Sequence, residues 1–275
     1  MQKKLRFALF GNEFQAKNSS TIQKVSHTLS ALGGEVVVEP SCDEEFHADF
    51  AISIGGDGTF LKTASLVGTK GIPIIGVNIG RLGFLADVRD NEIEEAFKAI
   101  DEGRYRIEEH AVIGLQAEGL PQDFIPFALN DIAVLKRDNA SMMTIHANVD
   151  GDPLVTYRAD GLVVSTPTGS TAYNLSNGGP IMISQAEVLC LTPVAPHSLN
   201  IRPIVVPDAA VVELEVESRS HNFLVAVDGR SETLDEQARI RISKASHKVK
   251  IVKRESENFF STLREKMMWG KDGRN

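Results

Sequence analysis

The chain has 275 residues, of which 42% are hydrophobic and 24% charged, enough apolar material for one or two buried cores. Its formal net charge of −8 and 6% aromatic content exclude the basic footprint and the stacking platforms expected of a nucleic-acid binder. No apolar run reaches the roughly 18 residues of a membrane span, the start shows no signal-peptide core, and Cys42 and Cys190 are too few for a disulfide framework or a metal cluster, so the expectation is a cytoplasmic chain with buried, reduced thiols.

The first hundred residues alternate strand-like and helix-like segments. "LRFALF" opens as a strand, and residues 18–32 follow as a helix with Asn18, Ser19 or Ser20 to cap it. Ile22, Val25, Leu29 and Leu32 supply its apolar stripe, and Gly33-Gly34 its left-handed exit. "EVVVE", "FAISI" and "IPIIGVN" read as further strands, with helices at Phe60–Leu66 and Glu92–Asp101. The continuous apolar runs Ala51–Ile54 and Ile72–Val77 suit strands covered on both faces, as in an open parallel sheet whose ligands sit beyond the strand C-termini. After Arg104 the texture becomes mostly β, with "FIPFALNDIAVLK" among the strands and Asp150-Gly151 and Asp228-Gly229 as hairpin turns. "SENFFSTLREKMMW" then reads as a Ser-capped terminal helix with a Phe259, Phe260, Leu263, Met267 stripe. The expected organisation is a Rossmann-like α/β domain at 1–103, completed by a helix at 255–270, and a mainly β, sandwich-like substrate domain at 104–254.

Two stretches carry chemistry. In Gly55-Gly56-Asp57-Gly58-Thr59 the glycines let a phosphate approach backbone N–H groups at a helix N-terminus, which an acidic protein needs for an anionic substrate. The plainer alternative is a tight turn with Asp57 as a helix cap. Neither the Walker Gly-Lys-Ser/Thr ending nor the dinucleotide Gly-x-Gly-x-x-Gly pattern is present. The second stretch, "YRADGLVVSTPTGSTAYNLSNGGP", leads a strand into a loop of small donors. There Thr166, Thr168, Ser170, Thr171 and Ser176 can hold sugar hydroxyls or phosphates, or form a solvated turn cluster. Ser170 lacks the Gly-x-Ser-x-Gly setting of a nucleophile. His197 reads as a satisfied structural histidine, and His110 and His146 are assigned no chemistry.

Taken in order, "GGDGT" at 55–59, "NIGRLGFL" at 78–85, "ND" at 130–131 and "DGLVVSTPTGSTAYNLSNGGP" from Asp160 resemble the NAD kinase family over nearly the whole chain. The short signature is shared with diacylglycerol, sphingosine and phosphofructokinases; the Asp160–Pro180 segment is the part that resembles NAD kinases. The resemblance implies the two-domain NAD kinase fold. It also implies transfer of the terminal phosphoryl group of ATP to the adenosine-ribose 2′-hydroxyl of NAD, giving NADP and ADP, with a divalent cation such as Mg2+ and Asp57 as general base. Gly55, Gly56, Gly58 and Thr59 would face the phosphates of ATP. Asp57, Gly58, Lys62, Asn130, Asp131, Arg158, Asp160, Thr168, Thr171, Ala172, Tyr173, Asn174, Leu175, Ser176 and Ala195 would line NAD, and the chain would form a homo-oligomer, a dimer or tetramer. One departure is Asp131, where many relatives carry Glu. A lipid or sugar kinase and a non-catalytic dinucleotide sensor stand as alternatives.

Overall fold

A computed structural model of the chain describes residues 4–11, 20–38, 46–80, 83–137, 142–255 and 257–270. Asn18, Ser19, Cys42, Ser256 and the Arg81-Leu82 pair of "NIGRLGFL" lie outside them. In chain order the elements are β1 (Arg6–Gly11), α1 (Ser20–Ala31), β2 (Glu35–Val38), β3 (Phe50–Gly55), α2 (Asp57–Val67), β4 (Ile74–Asn78), β5 (Val88–Arg89), α3 (Ile93–Asp101), β6 (Tyr105–Ala117), β7 (Phe127–Ala128), β8 (Asp131–Leu135), β9 (Met143–Val149), β10 (Asp152–Ala159) and β11 (Gly161–Ser165). They continue with α4 (Tyr173–Ser176), β12 (Val188–Val194), β13 (Ile204–Pro207), β14 (Val212–Glu217), β15 (Asn222–Val227), β16 (Arg230–Asp235), β17 (Ile240–Arg254) and α5 (Phe259–Met267). Two compact units form: residues 1–109 with 249–275, and residues 110–248.

The first unit is built on parallel strands in the order β2-β1-β3-β4, with Phe7 opposite Phe50 and Ala51 opposite Ile74. β5 and the end of β17, through Ile251 opposite Ile74, pair with β4 in the same sense. Every residue of β3 and β4 is buried, as expected of parallel strands covered on both faces. Val25 and Leu29 of α1 and Phe97 and Ile100 of α3 join Phe7, Leu9, Ile52 and Ile75 in one core. Leu32 falls past the end of α1 and is exposed, because Gly33 at φ +83 turns the chain away. In α5 the expected stripe shrinks: Leu263 is buried, whereas Phe260 is 54% exposed. Its N-cap is Asn258, whose side chain accepts from the Ser261 amide in a capping box.

The second unit has antiparallel sheets of order β13-β12-β11-β8-β15-β16 and β10-β9-β14-β17. Their inner faces share one core, with Ile145, Tyr157, Val212 and Ile242 from one sheet and Leu162, Val164, Phe223 and Val225 from the other, which is a sandwich. Asp150-Gly151 and Asp228-Gly229 join β9 to β10 and β15 to β16, all four at positive φ as a two-residue hairpin turn requires. The run "FIPFALNDIAVLK" is not one strand. It breaks between β7 and β8 because the Leu129 and Asn130 amides leave the ladder to bond a side chain.

Candidate active site

In the first unit β3 runs straight into the "GGDGT" turn and α2. The cap reading of Asp57 fails, because the extended Gly56 occupies the N-cap position and Asp57 is already helical. The carboxylate instead reaches across to "NIGRLGFL". Its Oδ2 accepts from the Phe84 amide at 2.7 Å, and its Oδ1 accepts from Leu85 and Ala86 at 2.9 and 3.1 Å. A methyl group at Gly83 would run into this carboxylate, so glycine is what admits the acid so close to the loop. A carboxylate has about four acceptor positions, and the described residues fill three, which among them leaves one on Oδ2 of a half-buried side chain. The space above Gly56 and Gly58 is open. Gly55 is buried, Thr59 is half-buried, and Lys62 is exposed on α2.

In the second unit Asn130 and Asp131 are fastened from two sides. The Asp228 carboxylate accepts from the Leu129, Asn130 and Asp131 amides at 2.8, 2.8 and 3.2 Å. From the other side the Asn130 carbonyl accepts from the Thr166 amide at 2.9 Å, and the Thr166 hydroxyl donates to the Leu129 carbonyl at 2.5 Å. Gly169 lies so close to the Asn130 backbone that a Cβ would collide with it. So held, the Asn130 side-chain oxygen is buried and has no hydrogen-bond partner among the described residues. Burial, and secondly the Asp228 carboxylate, push Asp131 up to about 7. Burial also raises Asp228, against the opposing effect of its three amide bonds.

The loop after β11 forms a short 3-10 turn at Thr168–Thr171 and then α4. Thr168 Oγ1 lies 2.8 Å from His110 Nδ1, and Tyr173 is 38% exposed. Thr171, Ala172 and Leu175 are half-buried, and Ser176 is exposed. Asn174 is wholly buried: its amide donates to the Ser170 and Pro180 carbonyls, and its oxygen accepts from Thr192. Its side chain therefore braces the loop. The expectation that Thr166 and Ser170 offer hydroxyls to a ligand is corrected, because both are buried and engaged with backbone carbonyls. Asp160 pairs with Lys136 at 2.8 Å, Arg158 is exposed on β10, and Ala195 is exposed at φ +44. His197 is exposed, and its backbone amide donates to the Arg158 carbonyl.

Sequence reasoning did not foresee the contacts that Asp228, Lys136 and His110 make with these residues. Asp228 was hidden by its good fit to a hairpin turn, and a lone lysine or histidine in a strand-rich segment carries no spacing signal. Among the described residues, no three His, Cys, Asp or Glu side chains gather as a metal cage, and no helix is long and apolar enough to cross a membrane.

Comparison with known proteins adds the following. The family descriptions "ATP-NAD kinase N-terminal domain" and "ATP-NAD kinase C-terminal domain" match residues 4–105 and 129–254. An NAD kinase of Bacteroides fragilis is 50% identical, the match covering 98% of this chain and all of that one. An NAD kinase of Porphyromonas gingivalis is 39% identical over 96% and 98%. Among solved structures, an Archaeoglobus fulgidus NAD kinase in complex with ATP has a TM-score of 0.80 and 30% identity, covering 94% of this chain and 99% of that chain. The yeast NADH kinase complexed with NADH shares the fold, with a TM-score of 0.86 at 22% identity over 99% and 90%.

Proposed function

The chain belongs to the ATP-NAD kinase family, an enzyme family, and from that premise we propose that it phosphorylates the adenosine-ribose 2′-hydroxyl of NAD with ATP, Asp57 acting as general base. The observation that carries the chemistry is the amide clamp on Asp57. Three backbone donors fix the carboxylate and leave one acceptor position open, which suits a group that must orient a hydroxyl and take its proton. As the proton passes to Asp57, the 2′-oxygen bonds to the γ-phosphorus and the bond from γ-phosphorus to the β–γ bridging oxygen breaks, releasing ADP. The open space above Gly56 and Gly58 at the start of α2, with Gly55 and Thr59 beside it, supports phosphate binding by helix-terminal N–H groups.

For NAD, the support is the unpartnered Asn130 oxygen, which a ribose hydroxyl would satisfy, next to Asp131, an acid able to donate or accept near neutral pH. Asp160, Arg158, Lys62, Thr168, Thr171, Ala172, Leu175 and Ser176 complete the reading, with the half-exposed Tyr173 ring available to pack on a ring of the substrate, Ala195 at the margin, and Asn174 contributing through the loop it braces because its own side chain is buried and engaged. A divalent cation has no protein-only cage among the described residues, so no step is assigned to it. A cytoplasmic homo-oligomer belongs to the same family-based reading.

The test is incubation of pure protein with ATP, MgCl2 and NAD, with NADP detected by an NADP-specific dehydrogenase. NADP and ADP in equal amounts are expected. Binding of NAD without NADP formation would support the sensor reading, and failure to bind NAD would favour a kinase for another acceptor.

A further inference from the structure

The "GGDGT" turn lacks the lysine that phosphate-binding turns commonly carry, and Lys62, the first cation of α2, is exposed. A different cation comes to the same place from the far end of the sequence. Lys266, in the last turn of α5, has the position of an ordinary surface lysine favoured by the helix dipole. Its Nζ is nevertheless shielded from solvent, has no hydrogen-bond partner among the described residues, and sits 4.7 Å from the centroid of the Phe84 ring. Phe84 is the residue whose amide grips Asp57 Oδ2 at 2.7 Å.

Taking an ammonium out of water is unfavourable, and a ring face repays only part of that. The charges that face it are Asp57 from the start of α2, Asp87 from the loop before β5, Lys253 from β17 and Glu257 ahead of α5. Three of these four are already engaged: Lys253 and Asp87 pair with each other, and Glu257 pairs with Arg254. We infer that Lys266 is a positioning residue for Asp57: seated on the Phe84 ring, its ammonium steadies the amide clamp of residues 84–86 and offsets the negative charge of the carboxylate when an anionic phosphate chain comes to the turn. The inference rests on the reading that phosphoryl transfer takes place at Asp57.

Burial, opposed in part by Asp57, holds Lys266 down at about 8, so it is charged at neutral pH and loses its proton as pH rises through that value. The experiment compares the parent, K266M and K266R, all first shown to be folded by thermal melting. The Phe84, Leu85 and Ala86 amide signals of 15N-labelled protein are followed from about pH 6.5 to about 9, and kcat and KM for NADP formation are measured across the same range. In the parent the three amides should shift together near pH 8, and kcat should fall above it. In K266M both features should vanish, with kcat about tenfold to a hundredfold lower and both KM values within about threefold of the parent. K266R, whose charge persists across the range, should restore part of the rate with no alkaline limb. Amides that ignore pH in the parent, or a K266M kcat within about twofold of the parent's, overturn the inference. If the amide titration is seen and disappears in K266M while the parent forms no NADP, the coupling stands and the reaction assignment falls.

Discussion

Asp57→Asn separates the job the structure shows for this carboxylate, gripping a loop, from the proton acceptance proposed for it. The side chain receives three backbone N–H groups, one on Oδ2 and two on Oδ1. An asparagine keeps one oxygen, best placed against Leu85 and Ala86, and turns its NH2 toward the Phe84 amide, so at least one charge-assisted bond is lost and two donors face each other. Loss of such a bond costs about 1.5–3 kcal/mol, which in a chain of this size lowers the melting temperature by on the order of 3–12 °C. Removal of a general base costs a further factor of about a hundred to ten thousand in turnover, far more than a modest loss of folded protein can produce at a temperature well below the melt. The assay therefore pairs a thermal melt with NADP formation at saturating ATP, Mg2+ and NAD, expressed per folded molecule at least about 15 °C below the variant's midpoint. A variant that melts lower but turns over at near-parental rate would show that the clamp is purely architectural and refute the base assignment.

Asn130→Ala, which removes the buried unpartnered oxygen, should weaken NAD binding by roughly tenfold to a hundredfold in an equilibrium titration, and an unchanged curve would take Asn130 out of the site. For Asp131, whose pKa is raised from 3.8 to about 7 on folding, the stabilising proton uptake is present at acid pH and lost as pH rises through about 7. Relative to Asp131→Asn, the ligand-free parent should accordingly lose on the order of 2–4 kcal/mol between about pH 4 and pH 8; parallel stability curves for the two proteins would contradict it. Leu263→Ala empties the buried contact of α5 and should cost about 2–4 kcal/mol, seen as a melting-temperature drop on the order of 5–15 °C, whereas an unchanged melt would mean α5 is held by its polar contacts alone.

What the sequence makes legible follows from how local each signal is. The mostly apolar β3 and β4, the Asp-Gly hairpins and the turn around Asp57 depend on neighbours along the chain, and the structure has them as expected. The partners of Asp57 and Asn130 are not local. Nothing about residues 83–86 says that three successive amides converge on Asp57, and nothing about the Asp228 turn says that its carboxylate reaches residues 129–131. The same limit applies to Lys266, whose place in a helix's last turn reads as solvent-facing until the fold puts Phe84 beneath it. Amphipathic spacing misjudged Leu32 and Phe260 because it assigns a face to a helix without knowing where the supporting surface ends.

The first unit is assembled from both ends of the chain, with residues 249–275 joining residues 1–109 and Ile251 pairing with Ile74. During synthesis, the β1–β4 strands emerge early and must wait while all of residues 110–248 are made before the end of β17 and α5 arrive. Until then the edge of β4 that later pairs with Ile251 lacks that partner, and Leu263 and Lys266 have yet to be made. The nascent chain thus holds an intact Asp57 turn without the elements that finish its surroundings. Closing so long a loop comes late in folding, when few contacts remain to compensate its entropy. A nascent chain that has released residues 1–248 but not yet 249–270 would expose an unfinished, aggregation-prone sheet edge at β4, which makes that interval one in which chaperone protection matters.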